Sequence, residues 1–289
     1  MRLQLIANPV AGRGATALIH QLRQRLLEAG NEVELCLTRG SGDAEKYAAL
    51  AVSGGFERMV VAGGDGTINE VVNGMTADSP PLAIIPLGTT NVLALEIGLP
   101  RRFTEVCDLA VQGRPTSIHL GLAGQRRFVL MAGLGFDAAV VQGVNLRIKR
   151  ALGKGAYLVS SCQCWLRPAQ QSLQIVDDKG QIHHGYGAII SNARCYGGRF
   201  TMTPSASLFA ESLDVCLILR PGRLALLRAG LALLTGRPLP QPWGRHFRSH
   251  RLEVTGDGVP MQIDGDAAGS LPQVFTVNPF PIRLILPKL

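Results

Sequence analysis

Two glycine-rich turns carry the side chains in this sequence that are best placed to do chemistry. The first is Gly-Gly-Asp-Gly-Thr at 63–67, and the second is Pro-Leu-Gly-Thr-Thr-Asn at 86–91. Glycines let backbone N–H groups approach an anion closely, and a helix start favours negative charge, so both turns suit phosphate. Asp65 would repel a phosphate. The conflict disappears if Mg²⁺ lies between them, or if the carboxylate accepts a proton from an attacking hydroxyl.

Each turn is predicted to join a buried strand to a helix. The apolar runs Arg58–Ala62 and Leu82–Pro86 lack polar alternation, which indicates strands buried on both faces of a parallel sheet. Helical spacing starts directly after the first turn, and a second helix is predicted over 92–97. Ligands bind at the carboxyl ends of such strands, so we expect both turns at one edge of the sheet. The simplest alternative is a structural turn in which Asp65 caps a helix.

Composition and charge limit the class of protein. The 289 residues are 46% hydrophobic and allow one large domain or two ordinary ones. A net charge of 29 − 21 = +8 with only 5% aromatic residues favours a nucleotide or an anionic lipid over nucleic acid. No apolar run approaches the length of a spanning helix, and the first residues are predicted to form a strand, so we expect a cytoplasmic protein.

Cysteine and histidine patterns give no metal site. The six cysteines include no C-x-x-C pair, which indicates reduced, buried thiols. His183 and His184 lie in a polar, turn-like stretch, and we expect them to be solvated.

The order of predicted elements divides the chain in two. Strands and helices alternate up to about residue 121, whereas short strands separated by turn residues dominate afterwards. The sequence therefore predicts an α/β domain over 1–121 and a β-rich, sandwich-type domain over 122–278.

Competing nucleotide motifs are excluded. Gly12, Gly14 and Ala17 match G-x-G-x-x-A, but four residues separate them from the first strand, and Thr38 stands where a dinucleotide site needs an acid. The sequence also lacks the G-x-x-x-x-G-K-[ST] loop and the protein-kinase motifs.

The paired turns at this spacing resemble the catalytic domain of diacylglycerol kinases, a family that includes bacterial lipid kinases and sphingosine kinases, with NAD kinases as distant relatives. Similar motifs recur along nearly the whole chain: Gly-Leu-Gly-Phe-Asp-Ala at 133–138, the segment 150–157, Tyr-Gly-Gly at 196–198, Ile-Asp-Gly-Asp at 263–266 and the closing 283–287. The resemblance implies a diacylglycerol-kinase-like α/β domain, to which 279–289 returns, and a β-sandwich that binds the lipid.

The resemblance also implies ATP and Mg²⁺ as cofactors and a set of site residues. Asp65 would organise the catalytic Mg²⁺ and the acceptor hydroxyl, Asp266 would be the base, and Asp137 would lie on the lipid side. The expected nucleotide-binding residues are Asn8, Thr38, Gly63, Gly64, Asp65, Gly66, Thr67, Asn69, Glu70, Gly88, Thr89 and Asn91.

Two residues depart from the family pattern. Asp266 stands where the family usually has Glu, so a side chain one methylene shorter must come within about 2.6–3.2 Å of the acceptor hydroxyl. Ala210-Glu211 replaces an Asp-Gly pair whose Asp helps to hold a structural Mg²⁺. We predict that this metal site is lost or weakened; if it were kept, Glu211 and Asp214 would be its carboxylates.

The leading hypothesis is an ATP-dependent lipid kinase in peripheral, transient contact with the inner face of the membrane, possibly as a homodimer. A basic cluster at Arg147, Lys149, Arg150 and Lys154 suits anionic lipid. The apolar helix predicted over 223–237 suits either a bilayer surface or the core. Two alternatives stay open: a NAD-kinase-like phosphotransferase, and a nucleotide-binding lipid sensor without turnover. The acceptor lipid is not specified by the sequence.

Overall fold

A computed structural model describes residues 1–143 and 171–287 of the protein. The chain forms two compact units, Met1–Ile118 together with Pro279–Leu289, and His119–Asn278. The basic cluster and the 150–157 motif predicted from sequence lie outside the described residues.

The first unit is built on a six-stranded, mostly parallel sheet. Its strands are β1 (Arg2–Ala7), β2 (Glu32–Leu37), β3 (Arg58–Gly63), β4 (Leu82–Pro86), β5 (Arg114–Ile118) and β20 (Ile282–Leu286). They lie in the order β2-β1-β3-β4-β20-β5. β1 to β4 are parallel, while β20 pairs parallel with β4 and antiparallel with β5. The last strand of the chain thus lies inside the first sheet.

Five helices connect the strands of this unit. They are α1 (Ala15–Glu28), α2 (Asp43–Ala49), α3 (Asp65–Gly74), α4 (Val92–Glu96) and α5 (Phe103–Gln112). Apolar side chains of α1 and α5 share one core with the sheet. The Arg58 guanidinium, at the start of β3, donates to the carbonyl oxygens of Ala110 and Val111 at 2.7 Å each. It thereby caps the carboxyl end of α5.

The described residues of the second unit form two six-stranded antiparallel sheets. The strands are β6 (Gly121–Ala123), β7 (Arg126–Phe128), β8 (Met131–Leu134), β9 (Leu173–Asp177), β10 (Ile182–Gly185), β11 (Gly187–Ser191), β12 (Cys195–Tyr196), β13 (Phe200–Thr201), β14 (Leu213–Ile218), β15 (Gly244–Ser249), β16 (Arg251–Thr255), β17 (Pro260–Ile263), β18 (Asp266–Ser270) and β19 (Gln273–Val277). One sheet has the order β10-β9-β16-β19-β6-β7 and the other β15-β14-β11-β8-β17-β18, while β12 and β13 form a separate hairpin.

Side chains from both antiparallel sheets meet in a single hydrophobic core, with Phe128 and Phe275 among its fully buried members. Two helices, α6 (Phe136–Gly143) and α7 (Arg223–Thr235), complete the described part of this unit. The predicted fold class, a parallel α/β domain followed by a β-sandwich, is confirmed. The units separate between Ile118 and His119, before the predicted position, because β6 pairs with β19 in the second unit.

His183 differs from its predicted environment. It is not solvated but only 3% exposed in β10, where its ring stacks on Phe247 at 4.2 Å between centroids. Its Nε2 lies 3.0 Å from a carboxylate oxygen of Asp177. The sequence around His183 is polar and gave no sign of burial, because the residue that it stacks on, Phe247, is distant in the chain.

Candidate active site

The ends of four parallel strands bring the first group of predicted site residues to one edge of the sheet. Gly63 at the end of β3 pairs with Pro86 at the end of β4, so the two glycine turns lie side by side, as predicted. Asn8 follows β1, and its backbone N–H donates to Ala62 at 2.9 Å. Thr38 follows β2, and its backbone N–H donates to Ala7 at 2.9 Å. Residues from four separate chain segments therefore meet here.

The two turns pack backbone against backbone. A Cβ added to Gly88 would lie 2.7 Å from the Cα of Gly64 and 2.7 Å from Oδ1 of Asn91. A Cβ added to Gly63 would lie 2.7 Å from the Cβ of Thr67. Only glycine allows this approach, which leaves the backbone N–H groups of both turns close together.

Asp65 is the first residue of α3, and it links the two turns. Its carboxylate accepts hydrogen bonds from the backbone N–H groups of Val92 at 3.0 Å and Leu93 at 3.2 Å, at the start of α4. Burial raises the pKa of Asp65 above its ordinary value, and the amide hydrogen bonds offset part of this effect. The capping role considered from sequence is therefore present. The cap is on α4, across the sheet edge, and not on α3.

Asn91 holds the second turn in shape. It adopts a left-handed conformation with φ of 49°, and its Nδ2 donates to the carbonyl oxygen of Gly88 at 2.7 Å. Within residues 1–143 and 171–287, its buried Oδ1 has no hydrogen-bond partner. A buried acceptor without a partner is costly, and this one lies beside the glycine turn.

The loop after β1 is tied to both turns. Nδ2 of Asn8 donates to the hydroxyl of Thr67 at 3.0 Å, while its Oδ1 accepts from the backbone N–H of Val10 at 3.0 Å. A Cβ on Gly12 would clash with the carbonyl oxygen of Leu87, so this loop lies directly against the second turn.

The remaining predicted residues of this unit differ in their surroundings. Asn69 is buried, and its Oδ1 accepts from Asn73 at 3.1 Å within α3. Glu70 accepts from the hydroxyl of Ser41 at 3.2 Å. Gly66 and Thr89 are exposed at the turns. The structure thus brings the predicted nucleotide-binding residues to one sheet edge and the adjoining α3.

The second unit carries a separate cluster around Asp137, in the first turn of α6. The Asp137 carboxylate accepts hydrogen bonds from the hydroxyl of Tyr196 and from Nε2 of Gln262, the latter at 2.7 Å. Burial raises the pKa of Asp137, and the two hydrogen bonds offset part of that rise. A Cβ at Gly133 would collide with this carboxylate, which explains the glycine at that position of β8.

Gln262 connects Asp137 to the loop that precedes Asp266. Its Oε1 accepts from the backbone N–H of Gly265 at 2.8 Å. Asp264, with φ of 48°, accepts from the N–H groups of three consecutive residues at 2.8 to 3.0 Å, namely Val129, Leu130 and Met131. Asp266 follows as the first, exposed residue of β18. The predicted base therefore directly follows a turn that these hydrogen bonds hold in place, and sequence reasoning missed Gln262 and Asp264 as the residues that hold it.

The predicted carboxylates of a structural metal do not converge. Asp214 is 8% exposed, and its carboxylate faces Arg248 on the neighbouring strand, with Nε to Oδ2 at 3.1 Å and Nη2 to Oδ1 at 3.4 Å. Glu211 is exposed, with Oε1 3.7 Å from Nε2 of His119. In the part of the chain that the structure describes, no group of three or more His, Cys, Asp or Glu side chains could hold a metal ion.

Comparison with known families covers both units. The diacylglycerol kinase catalytic domain matches residues 2–123, and the YegS C-terminal NAD kinase beta sandwich-like domain matches residues 131–286. This protein belongs to the family of diacylglycerol kinases and YegS-like lipid kinases. The predicted resemblance is thereby confirmed.

Individual members of this lipid kinase family align over most of the chain. A diacylglycerol kinase of Bacillus subtilis (strain 168) is 28% identical, covering 99% of this chain and 97% of its own. A protein of Pseudomonas putida named a YegS-like lipid kinase is 31% identical, covering 82% of each chain. The crystal structure of a diacylglycerol kinase from Bacillus anthracis str. Sterne superposes with a TM-score of 0.79 at 23% identity, covering 99% of this chain and 97% of its own. It shares the fold.

No helix of the described residues combines the length and the apolar character needed to cross a bilayer.

Proposed function

We propose that this protein is an ATP- and Mg²⁺-dependent lipid kinase that transfers the γ-phosphate of ATP to a hydroxyl of a lipid such as diacylglycerol or a sphingoid base. The observation that carries the proposal is the packing of two glycine turns, backbone against backbone, at one edge of a parallel sheet. The chain's membership of a lipid kinase family supports it. The first unit would bind ATP, and the second unit would bind the lipid.

The nucleotide is expected to lie along the sheet edge. Backbone N–H groups of both glycine turns would bind its phosphates, because each turn leads into a helix start. Oδ1 of Asn91, which has no partner among the described residues, offers a buried acceptor for a donor group of the nucleotide. Asn8 and Thr38 flank the turns, and the bond from Asn8 to Thr67 holds the loop after β1 in place.

Asp65 fits a catalytic Mg²⁺. Mg²⁺ at kinase sites is bound by one or two carboxylates together with substrate phosphates and water, so a single protein carboxylate suffices. Asp65 uses two of its lone pairs on the α4 amides and retains others. A bound cation would also offset the burial that now disfavours its ionised form. Mg²⁺ would neutralise charge on the transferring phosphoryl group.

The second unit supplies the groups for the acceptor. The hydroxyl proton of the lipid passes to Asp266 while the hydroxyl oxygen forms a bond to the γ-phosphorus, and the bond from that phosphorus to the β-phosphate oxygen breaks, releasing ADP. Asp137, held by Tyr196 and Gln262, would orient the lipid head. Gln262 also fixes the turn before Asp266, so both acidic residues are positioned by one side chain.

We propose that the protein has no structural metal at Asp214, because the Arg248 guanidinium occupies both carboxylate oxygens. Metal analysis of protein dialysed against EDTA and then Mg²⁺ is expected to find no tightly bound ion without nucleotide, and EDTA is expected to leave Tm unchanged. Arg248→Met should lower stability by about 1–2 kcal/mol, since it leaves a largely buried carboxylate unpaired. A stoichiometric ion at this site, lost in Asp214→Asn, would overturn the proposal.

The protein would work in the cytoplasm as a peripheral membrane protein, because its acceptor is a lipid and its net charge of +8 favours anionic surfaces. A homodimer stays a prediction.

The decisive experiment follows label from γ-labelled ATP into lipid. Purified protein is incubated with Mg²⁺ and mixed micelles that contain diacylglycerol, a sphingoid base, phosphatidylglycerol or a polyprenol, with Asp65→Asn as the blank. Label in the organic phase above the blank is expected, and the micelle that gives it identifies the acceptor. Label on added NAD instead would favour the NAD-kinase alternative. An ATP-dependent rise in Tm without turnover on any lipid would favour a sensor.

A further inference from the structure

Helix α7 presents large apolar side chains to solvent. Leu224, Leu227, Leu231 and Leu234, here called the leucine stripe, are 53%, 62%, 54% and 69% exposed. Their spacing of three, four and three residues places them along one face of the helix. Isolated exposed leucines are common, but four on one helix face form a patch typical of an interaction surface.

The opposite face of α7 is built from small residues. The buried positions are Ala225, Ala229 and Ala232. A helix that only filled a core position would place its leucines inward and its small or polar residues outward. Here the larger apolar side chains point away from the unit, so packing within the unit does not explain them. The core interpretation of this helix is therefore wrong for its leucine stripe.

Charge around the helix is of one sign. Residues 215–252 contain no Asp or Glu but seven arginines, which are Arg220, Arg223, Arg228, Arg237, Arg245, Arg248 and Arg251. Arg248 and Arg251 pair with Asp214 and Glu253, just outside this range, so the excess of positive charge comes from the remaining five. At 100° per residue, Arg223 and Arg228 fall on either side of the leucine stripe. The Arg228 guanidinium lies over the ring of Trp243, 5.9 Å from its centroid. An apolar face bordered by arginines and an indole is complementary to the interface of an anionic bilayer.

A second copy of the chain fits this face less well. A symmetric dimer through the leucine stripe would bring the arginine borders of two helices together, and like charges would repel each other. Spanning is excluded by length, because a 13-residue helix is about 20 Å long and a bilayer core is about 30 Å thick. The occupant that matches both the apolar face and its border is a membrane surface.

The leucine stripe connects to the Asp137 cluster through the β12–β13 hairpin. Helix α7 contacts β13, where Phe200 is 42% exposed. Phe200 pairs across the hairpin with Tyr196, whose hydroxyl donates to Asp137. The helix that carries the leucine stripe is thus linked to Asp137, the residue proposed to orient the lipid head, through the two strands β13 and β12.

We propose that α7 docks the protein on anionic membranes, with the leucine stripe between acyl chains and the bordering arginines on lipid phosphates. Docking does not require turnover, whereas delivery of a lipid to Asp137 rests on the proposed kinase function. A lipid that leaves the bilayer at the leucine stripe would reach the hairpin that carries Tyr196 first.

The test measures binding to vesicles by flotation, without ATP, for wild type and Leu227→Gln/Leu231→Gln. Wild type is expected to bind vesicles of phosphatidylcholine with a third of phosphatidylglycerol, and to bind pure phosphatidylcholine weakly. The double variant should bind at least about tenfold more weakly, because two exposed leucines can no longer insert between the acyl chains. Arg228→Gln/Arg237→Gln should lose the preference for phosphatidylglycerol and its salt dependence.

Leu27→Gln/Leu50→Gln, which changes two exposed leucines of the first unit, is the matched control and should bind like wild type. Equal binding of the leucine-stripe variant and wild type would overturn the proposal, as would a dimer in sedimentation that only this variant loses. Leu234→Gln, at the end of the helix, repeats the test should the double variant unfold. Phosphorylation of the four candidate lipids in detergent micelles separates the two proposals: its absence on all four in wild type that still floats would refute the kinase and not the docking.

Discussion

At the scale of single residues, two opposing effects act on the ionised carboxylate of Asp65. Its carboxylate caps α4 across the sheet edge, yet burial makes its ionised form unfavourable. A site that binds a metal cation needs that ionised form. In the free protein, the ionised form of Asp65 therefore lowers the stability of the fold, and a bound cation would offset this cost.

The stability of Asp65→Asn should depend on pH in a definite direction. Because the folded-state pKa is raised, the contribution of the protonated carboxyl is complete below the unfolded value and is lost as pH rises through the folded value. We expect Tm of the variant minus Tm of wild type to increase as pH rises above about 4, the ordinary pKa of Asp, without nucleotide. Differential scanning fluorimetry measures it, with the exposed Asp257→Asn as control. A decrease of this Tm difference with rising pH would show that the fold stabilises the ionised carboxylate, which would contradict the prediction.

Asp266 is testable through side-chain length. Asp266→Asn should lower kcat by about 10²- to 10⁴-fold with little change in KM for ATP, because only the proton acceptor is lost. Asp266→Glu should stay active, since it restores the length usual in the family. Initial rates in the micelle assay decide between these outcomes. Full activity of Asp266→Asn would remove this residue from the reaction.

Sequence analysis predicted three acidic site residues but not the residues that hold them in place. Asp65, Asp137 and Asp266 belong to local motifs, which a single sequence displays. Gln262 contacts Asp137 from 125 positions away, and its amide satisfies two partners that no local pattern joins. The sequence indicated that Asp65 could cap a helix, but it did not indicate that the helix is α4. Its actual partners, Val92 and Leu93, depend on the pairing of β3 with β4.

At the scale of elements, the close contact of the two turns is the feature that sets the geometry of the edge. Gly88→Ala places a methyl group 2.7 Å from Gly64, so one turn must move away from the other. We expect the ATP-dependent rise in Tm to be abolished while the protein stays folded. Gly40→Ala is the control, because its methyl group would meet nothing within 4 Å. An unchanged ATP response in Gly88→Ala would show that the contact is not needed for nucleotide binding.

Strands were predictable where burial required apolar residues. The runs that became β1, β3 and β4 are apolar, and all were predicted. Among the strands that were missed, β10, β15 and β18 each lie at the edge of their sheet. An edge strand has a neighbour on one side only and tolerates polar residues, so Ile-His-His-Gly and Asp-Ala-Ala-Gly-Ser carry little strand signal.

At the scale of the whole molecule, the second unit is an insertion in the chain of the first. β20 lies between β4 and β5, and Arg283 donates to the carbonyl oxygen of Ser79 at 2.9 Å. Hydrophobic periodicity did not predict this return, and only the family resemblance implied it. A strand of five residues near the end of the sequence gives no sign of its partner.

Removal of residues 279–289 should therefore destabilise the first unit, to which β20 belongs, more than the second unit, which directly precedes these residues in sequence. The first sheet would lose the strand that joins β4 to β5, and the ATP-dependent rise in Tm should disappear. Amides of the antiparallel sheets should keep their protection from hydrogen exchange. Leu284→Val, which keeps the strand, is the control. A truncated chain that still responds to ATP would contradict a structural need for β20.

The position of β20 also sets the order in which the protein can fold as it is made. Most multidomain chains complete their first domain while later residues are still being synthesised. Here the first sheet cannot be completed until residue 286 has left the ribosome, although β1 to β5 emerge long before. The inserted unit, whose residues all precede β20, can fold earlier. During synthesis, the second unit can thus be complete first, and the first unit depends on the last strand.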